Sequence, residues 1–347
     1  MSKPVSLIVL NYNGKLILEK YLPSIVNAAK YNNLRNEVIV VDNNSEDDSL
    51  KYVEKNFPKV KILALKDNKV CASFNDGVRL AKNDIVIVLN NDMEAKENFI
   101  DYLVPHFKDE NVFAVIPYCD WKKKGLNPIY PVGEFVFGFF RPVGKTDYGN
   151  KNIRVNKHVE ILGTGSGAFN KKKYLELGGF DEIYLPAYFE DVDIGYRARK
   201  RGWRILFEPR SKVYHEAHAT MKNLFKKQKL SWMQNRNRFI FTWINVTDHK
   251  LFFSHIITLP IVLTLGFVTR GPIFLLSFFS ALKLLPGIIK RRKREKTESK
   301  LSDIEVCKIT NTKVTYLDTN LIKNRLARLF RKNRKIKNPL KTKSHDF

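Results

Sequence analysis

Five short, continuously apolar runs alternate with helix-length segments up to Pro117, and this alternation limits the available folds more than any other feature of the chain. The runs are "VSLIVL" (Val5–Leu10), "EVIVVD" (Glu37–Asp42), "VKILAL" (Val60–Leu65), "DIVIVL" (Asp84–Leu89) and "NVFAVIP" (Asn111–Pro117). Their unbroken apolar character predicts strands covered on both faces. The intervening segments 15–32, 45–56, 72–82 and 96–108 are long enough for helices. Strand and helix in alternation predict an α/β fold with a mixed, mostly parallel sheet flanked by helices. In such a sheet, ligands gather at the carboxyl ends of the strands.

Polar residues stand at those ends. The first strand runs into Asn11-Tyr12-Asn13, the second into Asp42-Asn43-Asn44-Ser45, and the fourth into Asn90-Asn91-Asp92. One such cluster is ordinary turn and cap chemistry. Three at corresponding positions point to one crevice. Beyond Pro117 the segment "WKKKGLNPIYPVGEFVFGFFRPVGKTDYGN" reads as a long loop or small hairpins, a place for an acceptor-specific lid. "VEILGTGSGAFN" resumes a strand-like run, and "NKKKYLELGGFDE" reads as a helix closed by Gly178-Gly179.

The next stretch, "YFEDVDIGYRARKRGW", crowds Glu190, Asp191 and Asp193 into four residues of a chain whose formal net charge is +26. Acids in the first turn, basic residues in the last and Gly202 just beyond predict a helix matched to its own dipole. Carboxylates this close raise one another's pKa, whereas a helix N-terminus lowers it, so their net ionisation is open at this level. "WRILFEP" follows as a strand, with His215 and His218 past its end.

Charge is uneven. From Lys290 onward there are 19 Lys and Arg against six Asp and Glu, which marks residues 290–347 as a basic tail suited to an anionic surface. The three cysteines, Cys71, Cys119 and Cys307, are too few and too scattered for a disulfide framework or thiolate zinc site. The opening apolar run is too short for a signal-peptide core, so a reducing, cytosolic setting is expected. Between the first part of the chain and the tail, residues 251–269 contain no Asp, Glu, Lys or Arg, and "IFLLSFFSALKLLPGII" follows Arg270-Gly271-Pro272. Residues 246–289 therefore predict a membrane-associated helical hairpin, spanning or interfacial, on the cytoplasmic face beside the basic residues.

Taken in order, "SLIVLNYNG", "VVDNNSEDDS", "LNND", "GSGAFNKKKYLELGGFDE", "FEDVDIGYRARKRG" and "VYHEAHAT" resemble family 2 glycosyltransferases of the GT-A fold. The rhamnosyltransferase-like enzymes of bacterial surface polysaccharide synthesis are the most similar subgroup, over roughly residues 4–245. The resemblance implies a catalytic domain over residues 1–245 that moves a sugar, with inversion, from a UDP- or dTDP-linked donor to a hydroxyl. The acceptor would be a saccharide or lipid-linked saccharide. It also implies Asp191 as general base, and Asp92 with His215 as ligands of Mn2+ or Mg2+, where Asn90 replaces the family's first acid. Nucleotide-sugar contacts fall to Asn11, Tyr12, Asp42, Asn44, Asn68, Asn75, Asn91, Ser166 and Gly167. Glu190 and Asp193 lie at the acceptor or behind the base.

Two other classes compete. Net charge suggests nucleic-acid binding, but no zinc, RNA-recognition or helix-turn-helix pattern appears, so no specific nucleic acid is expected. A nucleotidyltransferase or non-catalytic nucleotide-sugar-binding relative would share the fold; the glycine-rich N-terminal loop of many nucleotidyltransferases is missing.

Overall fold

A computed structural model describes residues 3–31, 34–121, 130–145, 159–216 and 226–315. The apolar runs form strands. β1 (Val5–Asn11), β2 (Glu37–Asp42), β3 (Lys61–Ala64) and β4 (Ile85–Asn90) pair in parallel, in the order β3-β2-β1-β4. The sheet then continues through β10 (Gly167–Asn170), antiparallel to its neighbours, β6 (Val112–Trp121) and β11 (Arg204–His215), to the short edge strand β5 (Met93–Ala95). It is therefore mixed and mostly parallel.

Both faces are covered, which is why the strands are apolar throughout. Val5, Leu7 and Val9 point into one core with α1 (Lys15–Lys30), α2 (Ser49–Asn56) and α4 (Phe99–Leu103). Ile8, Ile39 and Val41 face the other, with α3 (Phe74–Leu80), α5 (Lys171–Glu176) and α6 (Glu190–Lys200).

The loose segment after Pro117 contains a hairpin, β7 (Tyr130–Val136) and β8 (Phe139–Lys145). It joins a third core with α6 and five C-terminal helices: α7 (Lys227–Asn245), α8 (His249–Arg270), α9 (Pro272–Leu282), α10 (Leu285–Glu298) and α11 (Asp303–Ile309). The sequence stretch "EVCKITNTKVTYLD" reads as β-like, but its first residues belong to α11, because Ser302 and Glu305 form a capping box that starts a helix. Only β12 (Lys313–Thr315) is extended, and it adds to β7.

The first part of the basic tail is tied to the sheet domain. Arg291 pairs with Asp181 at 2.6 Å, and Arg292 donates to the carbonyls of Trp243 (2.8 Å) and Val246 (2.7 Å). Leu321, Ile322, Leu326, Leu329 and Phe330, spaced in the sequence as an apolar stripe, and His218 lie outside the described residues.

Helix α8 is 22 residues, long and apolar enough to cross a membrane, with 22% of its apolar window buried. Leu251, Ser254, His255 and Thr258 pack inward, and Thr258 Oγ1 donates to the Phe137 carbonyl at the hairpin turn. On its other side Phe253, Ile256, Ile257, Ile261, Phe267 and Val268 are exposed at helical spacing. Gly266 permits the close α8–α9 crossing, since a Cβ there would sit 2.2 Å from the Phe274 ring.

Candidate active site

The polar residues at the ends of β1, β2 and β4 form one hydrogen-bonded line. Asn11, buried, donates through Nδ2 to Asp42 Oδ1 (2.9 Å) and accepts at Oδ1 from Asn91 Nδ2 (2.9 Å). Ser45 closes the other side, its backbone N–H donating to Asp42 Oδ2 (2.8 Å) and its hydroxyl to Oδ1 (2.6 Å). Gly14 is required beside this line, because an added Cβ would lie 2.4 Å from Asn91 Nδ2 and 2.5 Å from Asn11 Oδ1. Tyr12 is exposed at the crevice, and Asn44 takes the left-handed conformation (φ 64°) that asparagine tolerates.

Asn91 leads directly to Asp92. Strand β5 runs antiparallel to β11 with His215 opposite Met93, and this register brings His215 Nε2 to 2.8 Å from Asp92 Oδ1. One carboxylate oxygen and one imidazole nitrogen thus converge, a donor pair that fits Mn2+ or Mg2+. No group of three or more His, Cys, Asp or Glu able to hold a metal occurs among the described residues, so further ligands would come from the donor's phosphates and water.

The carboxylate cluster reaches the same crevice through the turn after β3. Asn43 Nδ2 donates to the Val70 carbonyl (3.0 Å), Asn43 Oδ1 accepts from Ser73, and Asn68 Oδ1 accepts from the Val70 N–H (2.8 Å). Within that turn, the Cys71 thiol meets Glu190; burial first, and Glu190 second, push the thiol well up.

The three acids then part company. Burial raises the Asp191 carboxyl, against hydrogen bonds from backbone N–H groups that include Val192 at 2.8 Å. Glu190 is pushed up to about 7 by burial and by the charge of Asp191, and its Oε2 is buried without a partner among the described residues. Desolvation thus outweighs the helix N-terminus, which settles the sign left open by the sequence. Asp193 turns inward, where it accepts from Arg197 Nε (2.6 Å), Tyr184 Oη (2.8 Å) and Asn245 Nδ2 (2.7 Å).

The basic half of α6 does more than match a dipole. Arg199 donates to the carbonyls of Ile161 and Ile205, Lys200 pairs with Asp303 at 2.9 Å, and Arg201 pairs with Glu295 at 2.5 Å. All are buried, and through Lys200 and Arg201 helix α6 is bolted to α10 and α11.

Sequence reasoning missed Asn237. The loop ahead of α6 places Tyr188 (φ 75°) and Phe189 (φ 79°) in left-handed conformations that non-glycine residues adopt at a cost. Asn237 Nδ2 holds it, lying 2.7 Å from the Tyr184 carbonyl and 2.8 Å from those of Ala187 and Tyr188. Arg236 adds bonds to Asn237 Oδ1 (2.9 Å) and the Leu185 carbonyl. The available signal was a polar run, "QNRNR", directly ahead of the apolar "FIFTWI" in the same helix.

Two predicted donor contacts have internal duties. Asn75 accepts from Tyr174 Oη (2.8 Å) and Phe180 N–H (2.9 Å) and donates to the Phe180 carbonyl (2.9 Å), fastening α3 to the loop after α5. Gly167 is small because of β6: a Cβ there would meet Ile116 Cδ1 at 2.5 Å. Ser166 adjoins it, after Gly165, whose φ is +50°.

Residues 6–177 match the family model described as Glycosyl transferase family 2. The chain carries a family 2 glycosyltransferase domain. The chain is 27% identical over 249 residues to chondroitin synthase of Pasteurella multocida, covering 63% of this chain and 25% of that protein. It is also 25% identical over 256 residues to N-acetylglucosaminyl-diphospho-decaprenol L-rhamnosyltransferase of Mycobacterium tuberculosis, covering 63% of this chain and 78% of that one. The chain thus spans a quarter of the first relative's length. Among solved structures, the mannosyltransferase PcManGT of Pyrobaculum calidifontis, in complex with GDP-Man and Mn2+, superimposes with a TM-score of 0.50 at 16% identity, covering 89% of this chain and 87% of that one. The likeness establishes the GT-A type of fold.

Proposed function

We propose that the protein is an inverting, metal-dependent glycosyltransferase of cell-surface glycan synthesis, taking a nucleotide-sugar donor and a saccharide or lipid-linked saccharide acceptor. The observation that carries the proposal is the continuous contact from Asp42 through Asn11 and Asn91 to Asp92, which itself meets His215. It lines a crevice with ribose-binding, phosphate-side and metal-binding chemistry in the order a nucleotide-sugar presents those groups. Asp92 and His215 hold Mn2+ or Mg2+; the cation, when bound, offsets charge developing on the leaving nucleoside diphosphate. Asp191 takes the acceptor hydroxyl proton as that oxygen bonds to the anomeric carbon and the bond to the diphosphate breaks. Its raised pKa makes it a stronger proton acceptor than an ordinary aspartate. Glu190, neutral at lower pH, limits the charge beside it. Likeness to chondroitin synthase and to N-acetylglucosaminyl-diphospho-decaprenol L-rhamnosyltransferase supports this acceptor class.

The membrane reading takes a definite form. Arg270, at the far end of α8, donates to Asn235 of α7, while Thr258 near its middle bonds the hairpin. Both parts of α8 are thus held against the domain, which favours a helix lying in the cytoplasmic interface over one crossing it.

The test is Asp191→Asn in the full-length protein. Transfer should fall about a hundredfold or more, the scale of general-base loss, with donor binding retained. Near-wild-type turnover would overturn the assignment.

A further inference from the structure

Most buried cations of this chain have a carboxylate: Arg197 has Asp193, Arg199 has Glu160, Lys200 has Asp303 and Arg201 has Glu295. Arg238 has none. Its side chain makes no ion pair or hydrogen bond with any described residue, and its Nε is buried without a partner.

Its neighbours make matters worse. Asn235 and Arg238 stand three residues apart on α7 and so share a face. Asn235 Oδ1 accepts from Arg270 Nη1, which brings the Arg270 guanidinium alongside. On β8, Arg141 lies two residues from Phe139 on the same strand face, and Phe139 packs on Phe239 with ring centroids 5.4 Å apart. The nearby carboxylate, Glu134, is engaged by Arg141 at 2.5 Å. Burial, then the like charges of Arg270 and Arg141, push Arg238 down to about 10. Arg270 and Arg141 are exposed, so the cluster opens to solvent with the unpaired, half-buried Arg238 at its inner end, a place that an anion would complete.

The surroundings indicate what carries that anion. Phe267 and Val268, within one turn of Arg270, belong to the exposed apolar stripe of α8. On the other side Asn237, next to Arg238, braces the loop that presents Asp191. The cluster therefore sits between an apolar surface and the candidate catalytic carboxylate.

We infer that Arg238, Arg270 and Arg141 form a binding site for a phosphate ester borne on an apolar chain. This rests on the reading of a membrane-borne acceptor and adds the group by which it is held. A phosphate of the acceptor's lipid carrier and a bilayer headgroup share the chemistry. Planar guanidinium groups suit such oxygens through paired, charge-assisted hydrogen bonds.

The experiment measures binding by the full-length protein in neutral detergent micelles, with chelator and no donor. Farnesyl diphosphate is the probe, farnesol the uncharged control, and phosphatidylglycerol in the same micelles the headgroup arm. Farnesyl diphosphate should bind at least tenfold more tightly than farnesol, and the preference should persist in Asp92→Ala. Arg238→Met and Arg270→Gln should each weaken it at least tenfold, the scale of a lost charge-assisted hydrogen bond. Without ligand, Arg238→Met should unfold at a higher temperature than wild type, because it removes an unpaired, half-buried charge; a purely structural arginine would give the opposite shift. Equal, Arg238-dependent binding of phosphatidylglycerol would assign the site to a headgroup. Diphosphate binding indifferent to both substitutions, or no preference over farnesol, would overturn the inference. Binding is read without sugar transfer, so a protein that transfers nothing still reports on this site.

Discussion

Asn237→Ala tests whether the proposed catalytic carboxylate, Asp191, is aimed by a side chain forty-six residues further along the chain. The amide Nδ2 has two hydrogens and three carbonyl acceptors within 2.8 Å, those of Tyr184, Ala187 and Tyr188. Each carbonyl left unpaired costs roughly 1–3 kcal/mol if it stays buried, less where water enters. Allowing for partial rescue by water, the loss should be about 2–4 kcal/mol. The loop it restrains holds two successive left-handed residues, Tyr188 and Phe189, each unfavourable by about 1–2 kcal/mol. Bracing and strain are therefore of similar size, and without Asn237 the loop should relax and carry Asp191 off its line. Urea denaturation should show the stability loss, and transfer should fall at least tenfold, with donor affinity within about threefold because the Asp42–Asn11–Asn91 line is untouched. Adding Tyr188→Gly should return about 1 kcal/mol by removing one strained φ. A variant within about 0.5 kcal/mol of wild type and fully active would refute the reasoning, as would a donor affinity that falls in step with turnover.

Three further outcomes are expected. Asp92→Ala should weaken nucleotide-sugar binding in the presence of Mn2+ and leave the chelated protein unchanged, read by calorimetry; full activity in excess chelator would exclude a metal at Asp92 and His215. Glu190, pushed up to about 7 from an ordinary 4.5, keeps its proton longer folded than unfolded. Its contribution to stability is complete below about pH 4.5 and lost as pH rises through 7, so Glu190→Gln should gain on wild type between pH 5 and 8 in thermal melts, with a constant difference counting against a buried, shared charge. The double substitution Ile257→Asp with Phe267→Asp places charges on the exposed stripe of α8; flotation with anionic vesicles should be lost while the melting temperature stays within a few degrees, since neither side chain is buried.

Sequence alone determined the local structure and its polarity. The apolar runs became strands because both of their faces are covered, and the asparagines and aspartates at their ends met because parallel strands deliver their carboxyl ends to one edge. Helix α6 was legible from its acid-to-base order and Gly202, and α8 from its uncharged length. What tertiary structure decided was partnership. Nothing local tells whether Asp193 faces an acceptor or Arg197, Tyr184 and Asn245, or whether Asn75 meets a nucleotide or Phe180. The same holds for Lys200 and Arg201, whose carboxylates come from α11 and α10, and for Arg238, which has no such partner. A side chain's chemistry is written at its own position, but its ionisation and its duty depend on burial and on charges contributed by segments far away in the chain, which only the folded core brings together.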